Sequence, residues 1–276
     1  MVNRIDTAFA ALRGAGRVGL FPYFTAGYPT LAATEELAMA AVEAGADGLE
    51  LGVPFSDPLA DGTTMQRASE IALRNGASLN WTLGVAARLR RRTPAPLIGM
   101  TYYNPVHHYG VGRFVADAVA AGLDGVIVPD LPSAEAAPLE AAAAPRDFYV
   151  IQMVAPTTTD ERLAEVGNTA HGFVYCVSLL GTTGARDQVS ERLPEFMARV
   201  RAHVKLPLLV GFGIASPEHV GAVRAHADAV VVASALADLL ASTNPEQWRA
   251  AVHSYVASLR RACEPVTADH QPATDA

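Results

Sequence analysis

Short apolar runs rich in β-branched residues recur along the chain, separated by Ala- and Leu-rich stretches with a helical period. The runs occupy 18–25, 48–51, 96–101, 125–128, 148–153, 172–177, 207–210 and 229–232, eight in all. Most are continuous rather than alternating, the pattern of parallel strands covered on the outside by helices. Helices are predicted over 30–44, 63–75, 80–92, 112–121, 133–143, 159–166, 190–202, 217–225 and 235–241. A last amphipathic helix is predicted over 245–262, where Trp248, Val252, Tyr255 and Leu259 share one face. Eight alternations with right-handed crossovers close into a single α/β domain, a (β/α)8 TIM barrel with an additional C-terminal helix. The competing open sheet usually carries Gly-x-Gly-x-x-Gly after its first strand. Here that strand ends Phe24-Thr-Ala-Gly-Tyr-Pro instead.

An internal repeat agrees with the barrel. Ala44-Gly-Ala-Asp-Gly-Leu-Glu-Leu, Ala121-Gly-Leu-Asp-Gly-Val-Ile-Val and Ala225-His-Ala-Asp-Ala-Val-Val-Val each read as helix end, turn and strand, with an aspartate opening the strand. No linker divides the chain, so 1–262 is expected to be one catalytic domain. The polar, Pro-containing segment 263–276 is expected to be a disordered tail.

Composition narrows the function. A length of 276 residues at 50% hydrophobic content suffices for a full core. A net charge of -7 argues against a nucleic-acid footprint, and it leaves any anionic substrate to be held by local backbone dipoles. The N-terminus lacks the apolar stretch and cleavage site of a signal peptide, and no run of about 18 apolar residues marks a membrane span. Two cysteines, Cys176 and Cys263, rule out a disulfide framework and fit a reducing cytoplasm, with Cys176 read as core. Of the 21 basic residues only Lys205 is a lysine. It precedes the seventh strand, at the end of the barrel opposite the usual active-site face, which disfavours Schiff-base chemistry. The histidines are scattered or, at His107 and His108, adjacent and divergent, so no metal is expected.

The candidate chemistry lies at the C-terminal ends of the strands. Glu50 stands near the end of the second strand between Leu49 and Leu51. If both leucines face the helices, Glu50 points into the barrel mouth, where desolvation raises its pKa towards acid–base use. A structural glutamate paired with an arginine is the alternative. Asp61 closes the following loop, stiffened by Pro54 and Pro58, and is either a second catalytic carboxylate or the N-cap of the next helix. After strands seven and eight, Gly211-Phe212-Gly213 and Ala233-Ser234 suggest a phosphate site built from backbone N–H groups and a helix N-terminus, with tight turns as the alternative. Segment 178–188, rich in Gly and Thr, reads as a lid or as a plain surface loop. Tyr175 is either pocket wall or core.

The segment Glu50-Leu-Gly-Val-Pro-Phe-Ser-Asp-Pro-Leu-Ala-Asp61-Gly resembles, nearly residue for residue, the diagnostic segment of the tryptophan synthase α subunit family. Tyr102, Asn104, the Pro129-Asp130-Leu-Pro132 turn, Thr183-Gly184 and Gly211-Phe-Gly213-Ile follow in that family's order, over roughly 5–260. The resemblance implies cofactor-independent retro-aldol cleavage of indole-3-glycerol phosphate to indole and glyceraldehyde 3-phosphate. It makes Glu50 the acid–base and Asp61 the acceptor of the indole N–H. Tyr175 and Thr183 then order the site, Gly184, Gly213, Ala233 and Ser234 hold phosphate, and Tyr23, Tyr102 and Phe212 line the indole pocket. It also implies a pyridoxal-phosphate β subunit as partner in an α2β2 tetramer, docking on loop 53–60, Asn104 and Pro132. Three positions depart from the family's usual residues: Ala233 for glycine, Thr63 for proline and Thr182 for valine. Ala233 and the altered lid motivate one alternative, a stand-alone indole-releasing lyase; the other is a non-catalytic activator of a β subunit, against which the complete catalytic residues argue.

Overall fold

The computed structural model describes residues 2–177, 192–211 and 213–265. Its strands are β1 (Gly19–Thr25), β2 (Leu49–Gly52), β3 (Leu97–Met100), β4 (Gly125–Ile127), β5 (Tyr149–Val154), β6 (Val174–Val177), β7 (Leu208–Gly211) and β8 (Ala229–Val232). Its helices are α1 (Arg4–Ala15), α2 (Ala33–Glu43), α3 (Thr63–Arg74), α4 (Leu79–Arg90), α5 (Tyr103–Tyr109), α6 (Val111–Ala120), α7 (Ala137–Ala143), α8 (Asp160–Thr169), α9 (Leu193–His203), α10 (Pro217–Val223), α11 (Ser234–Ser242) and α12 (Trp248–Ala262). The strands pair in parallel in chain order, and β8 returns to β1 to close the barrel. Each apolar run forms its strand to within two residues at either end.

Alternation along each strand sorts side chains between two clusters. Leu49, Leu51, Leu97, Val126, Val174, Leu208, Val210, Val230 and Val232 pack outward under the helices. Phe21, Ile98, Ile127, Ile151, Tyr175, Leu209 and Val231 fill the interior. The periodicity reading passes over two helices. α1 begins at Asn3, whose side chain accepts from the Ile5 N–H at 2.9 Å, and ends at Gly16 in the left-handed region (φ 64°). Its Ile5, Phe9 and Leu12 plug the N-terminal end of the barrel, with the Phe9 ring 5.8 Å from Phe21 and 5.6 Å from Phe173. Burying three such side chains stabilises the fold by about 1.5–3 kcal/mol each. α5 contains Asn104-Pro105, which reads as a turn, but a proline in a first helical turn removes no intrahelical hydrogen bond.

The repeated aspartates have a physical role. Asp47, Asp124 and Asp228 each stand just before a strand and bracket one leucine of the preceding strand. The Asp N–H donates to the carbonyl of Leu20, Leu97 or Leu208, and the same leucine's N–H donates to the Asp carboxylate at 3.0, 2.8 and 2.7 Å. Arg17, Arg90 and Arg201 neutralise the three carboxylates. The pairs β1–β2, β3–β4 and β7–β8 are clamped in this way; β6, entered through Ala170-His171-Gly172-Phe173, has no such acid. The outer face of β5 is also loosely covered. Short, Ala-rich α7 leaves cavities of about 330 and 620 Å³ on its two sides, and Glu140 and Val150 border both.

The packed body runs past the expected boundary at residue 262. Cys263 is buried, and its carbonyl accepts from the Val18 N–H at 3.1 Å. It is held there because the main chain leaving α12 runs beside the start of β1. The remainder of the expected tail, 266–276, lies outside the described residues. Burial raises both thiols to about 12, in keeping with core cysteines. No helix among the described residues is long and apolar enough to cross a membrane.

Candidate active site

Glu50 does point inward. Its neighbours Leu49 and Leu51 belong to the outer cluster, and its register partners are Tyr23 and Ile98, both packed in the interior. The residue is 0% exposed, and neither carboxylate oxygen has a hydrogen-bond partner. Burial without compensation raises its pKa to about 8, so the side chain is a neutral acid at pH 7. Among the described residues no arginine forms an ion pair with it.

Asp61 does not cap α3. The N-cap is Gly62, and no side chain caps that helix. Asp61 is half-buried at the end of loop 53–61, and burial raises its pKa to about 6 despite the Tyr102 phenol, which favours the ionised form. The Tyr102 hydroxyl also accepts the Ala60 N–H at 3.0 Å, and its ring packs 5.4 Å from Phe55. Tyr102 therefore ties both ends of this loop to the end of β3. At neutral pH the mouth holds one protonated and one ionised carboxyl, a division of labour that acid–base chemistry exploits.

Two tyrosines flank the pair. Tyr23 on β1 and Tyr175 on β6 are interior residues, and each leans over a glycine of the next strand. A Cβ on Gly52 would stand 1.7 Å from the Tyr23 oxygen, and one on Gly211 would stand 2.0 Å from the Tyr175 oxygen. Gly211, expected to bring backbone towards phosphate, is thus the residue that makes room for Tyr175. Burial, and then the charge of Glu50, raise the Tyr175 pKa well above its ordinary value, so its hydroxyl stays a donor. Thr25, Gly52, Met100 and Met153 also face the mouth, and sequence reasoning missed them. Continuing the interior alternation Phe21, Tyr23 by two residues would have found Thr25, whose hydroxyl is buried without a partner.

On the opposite rim Gly213 adopts φ 81°, which a side chain would strain. The N-terminus of α10 is satisfied by Ser216, which accepts from His219 N–H. That of α11 has no side-chain cap among the described residues, and a helix start carries N–H groups that its own ladder leaves unused. Ala233 precedes them with φ −125°, a negative value that does not call for glycine. Phe212, Thr183, Gly184 and the expected lid lie outside the described residues. Lys205 is exposed between α9 and β7, away from the mouth. No group of three or more potential metal ligands occurs among the described residues.

A closed barrel whose mouth holds two carboxyls of different acidity among phenols and apolar side chains defines a (β/α)8-barrel enzyme of the acid–base type. Comparison with known proteins makes this particular. The family model for the tryptophan synthase alpha chain matches residues 9–264, and the chain belongs to that family of lyases acting on indole-3-glycerol phosphate in tryptophan biosynthesis. It is 50% identical over 260 residues to the tryptophan synthase alpha chain of Roseiflexus castenholzii, covering 94% of this chain and 100% of that one. With the alpha chain of Chloroflexus aurantiacus it shares 46% over 259 residues, 94% and 97% of the two chains. Among solved structures, the alpha chain from Legionella pneumophila superposes with a TM-score of 0.88 at 35% identity, covering 95% and 98%. A chain of Mycobacterium tuberculosis tryptophan synthase gives 0.88 at 36%, covering 96% and 100%.

Proposed function

We propose that Glu50 and Asp61 carry out the retro-aldol cleavage of indole-3-glycerol phosphate to indole and glyceraldehyde 3-phosphate. The observation that carries this reading is the Glu50 carboxyl, wholly buried, unpaired and neutral at pH 7. Protonated Glu50 donates to the indole ring carbon that bears the glycerol chain, which turns the ring into a cationic indolenine. Ionised Asp61 accepts the ring N–H and stabilises that cation. The Glu50 carboxylate then takes the proton of the glycerol hydroxyl next to the ring, the carbon–carbon bond breaks, and its electrons return to the indole. Glu50 gives one proton and regains one, so the step needs no external acid or base.

Tyr23, Tyr102 and Phe212 line the indole pocket, and Tyr175 and Thr183 order the reacting groups. Gly184, Gly211, Gly213, Ala233 and Ser234 shape the phosphate side, where the uncapped start of α11 offers its N–H groups and positive dipole end. The catalytic domain is the single barrel, and the chain works in the cytoplasm. Its partner is a tryptophan synthase β subunit in an α2β2 assembly, docked on loop 53–60, Asn104 and Pro132. Leu59, 88% exposed at the tip of that loop, is an apolar side chain suited to such an interface.

The test is an indole-release assay with and without a β subunit. Glu50→Gln should lose at least ~10²-fold in turnover, the usual scale for a general acid–base; a near-normal rate refutes the assignment. A β subunit should accelerate the wild type, and an unchanged rate would favour the stand-alone reading.

A further inference from the structure

Tyr23 carries a polar group that an indole-pocket wall does not require. It pairs in register with Glu50, and the next inner-face position of β2 is Gly52. Because Gly52 has no side chain, the phenol crosses from β1 over β2, with its oxygen 1.7 Å and its Cζ 2.2 Å from where a Cβ would be. The hydroxyl therefore lies one inner-face step beyond Glu50, on the side of the mouth from which the loop to Asp61 departs. Burial raises its pKa, followed by the charge of Asp61, with Glu50 weaker. Thr25, its neighbour on β1, influences it but falls short of a hydrogen bond with it.

We propose that Tyr23 is a positioning residue for the acid–base pair, its O–H held over Gly52 so that it donates to the Asp61 carboxylate once substrate occupies the mouth. This rests on the reading of Asp61 as the ionised partner. Tyr102 serves Asp61 from the β3 side, and Tyr23 approaches from β1. Among the described residues the other titratable groups near Asp61 and Tyr23 are Glu50 on β2, Tyr175 on β6 and Asp130, which acts through Tyr102. Among the described residues, burial and Tyr102 alone set the acidity of Asp61 in the free protein. A second donor on the carboxylate would strengthen the ionised state when the water-free mouth most disfavours it.

Tyr23→Phe keeps the ring and removes only the donor. The acid limb of kcat/KM against pH should move upward by about half to one unit, with a loss of about three- to tenfold near pH 5 that narrows to less than about twofold at pH 7. The thermal midpoint should stay unchanged. A profile that superimposes on wild type overturns the inference. Gly52→Ala, which displaces the phenol, should shift the limb in the same direction, and combining it with Tyr23→Phe should add no further shift. Residual activity of Asp61→Asn separates the two readings. If that variant retains the acid limb, the Asp61 assignment fails and this inference with it. If the limb is lost there yet unmoved in Tyr23→Phe, only the Tyr23 inference fails.

Discussion

Tyr102 acts on Asp61 so as to favour the ionised carboxylate, while the same phenol oxygen accepts the Ala60 N–H at 3.0 Å. The residue that tunes Asp61 also anchors the loop that delivers it. Tyr102→Phe removes both effects. Asp61 then titrates above its present value of about 6, so the acid limb of kcat/KM moves to higher pH. The rate near neutrality should fall about tenfold. An unmoved limb would show that the Tyr102 hydroxyl has no hold on the reacting state.

The wild-type profile should be bell-shaped. kcat/KM rises through about 6 as Asp61 ionises and falls through about 8 as Glu50 loses the proton it must donate. A pH series over 5–9 with saturation curves at each point measures both limbs. Activity still rising at pH 9 would contradict a proton-donating Glu50.

Glu50 should cost stability in a pH-dependent way. Its folded pKa, about 8, lies above the ordinary 4.5, so the folded state binds the extra proton and stability falls as pH rises between those values. Below the lower value both states are protonated and the penalty vanishes. Glu50→Gln should therefore match wild type near pH 4 and gain on the order of 3 kcal/mol by pH 8 in urea unfolding. An equal gain at both pH values would show that the effect is packing, not ionisation.

The aspartate clamps differ in burial. Asp124 is 4% exposed and serves Leu97, Arg4 and Arg90, whereas the Asp228 side chain is 42% exposed. Asp124→Ala leaves buried donors without partners and should cost about 3 kcal/mol. Asp228→Ala should cost about 1 kcal/mol, since water replaces much of what is lost. Urea midpoints with unchanged m-values would measure both, and equal losses would show that burial does not set the cost.

Much of this was legible in the sequence because parallel strands covered by helices write continuous apolar runs, and all eight became strands. Glu50 was legible for the same reason: a carboxylate between two outward leucines must face the interior. Asp61 was ambiguous because an N-cap and a catalytic carboxylate occupy the same position, and only Gly62 as the actual cap separates them. The start helix α1 falls outside the strand–helix alternation because it precedes the first strand, although Asn3, Ile5, Phe9, Leu12 and Gly16 mark it. The glycines were half understood. Gly211 reads as backbone freedom and Gly52 carries no signal of its own, yet both leave space for a phenol on another strand, a relation that no local pattern records.

The missing clamp at β6 has a consequence of its own. Three strand pairs are stapled at the barrel's closed end, while the β5–β6 sector has no staple and borders the cavities beside α7. Transient opening of the barrel should therefore begin at that seam, where amide protons exchange with solvent long before those of β1 to β4. Tyr175 stands on the seam and Glu50 on the stapled side, so the two halves of the reacting mouth rest on walls of unequal rigidity.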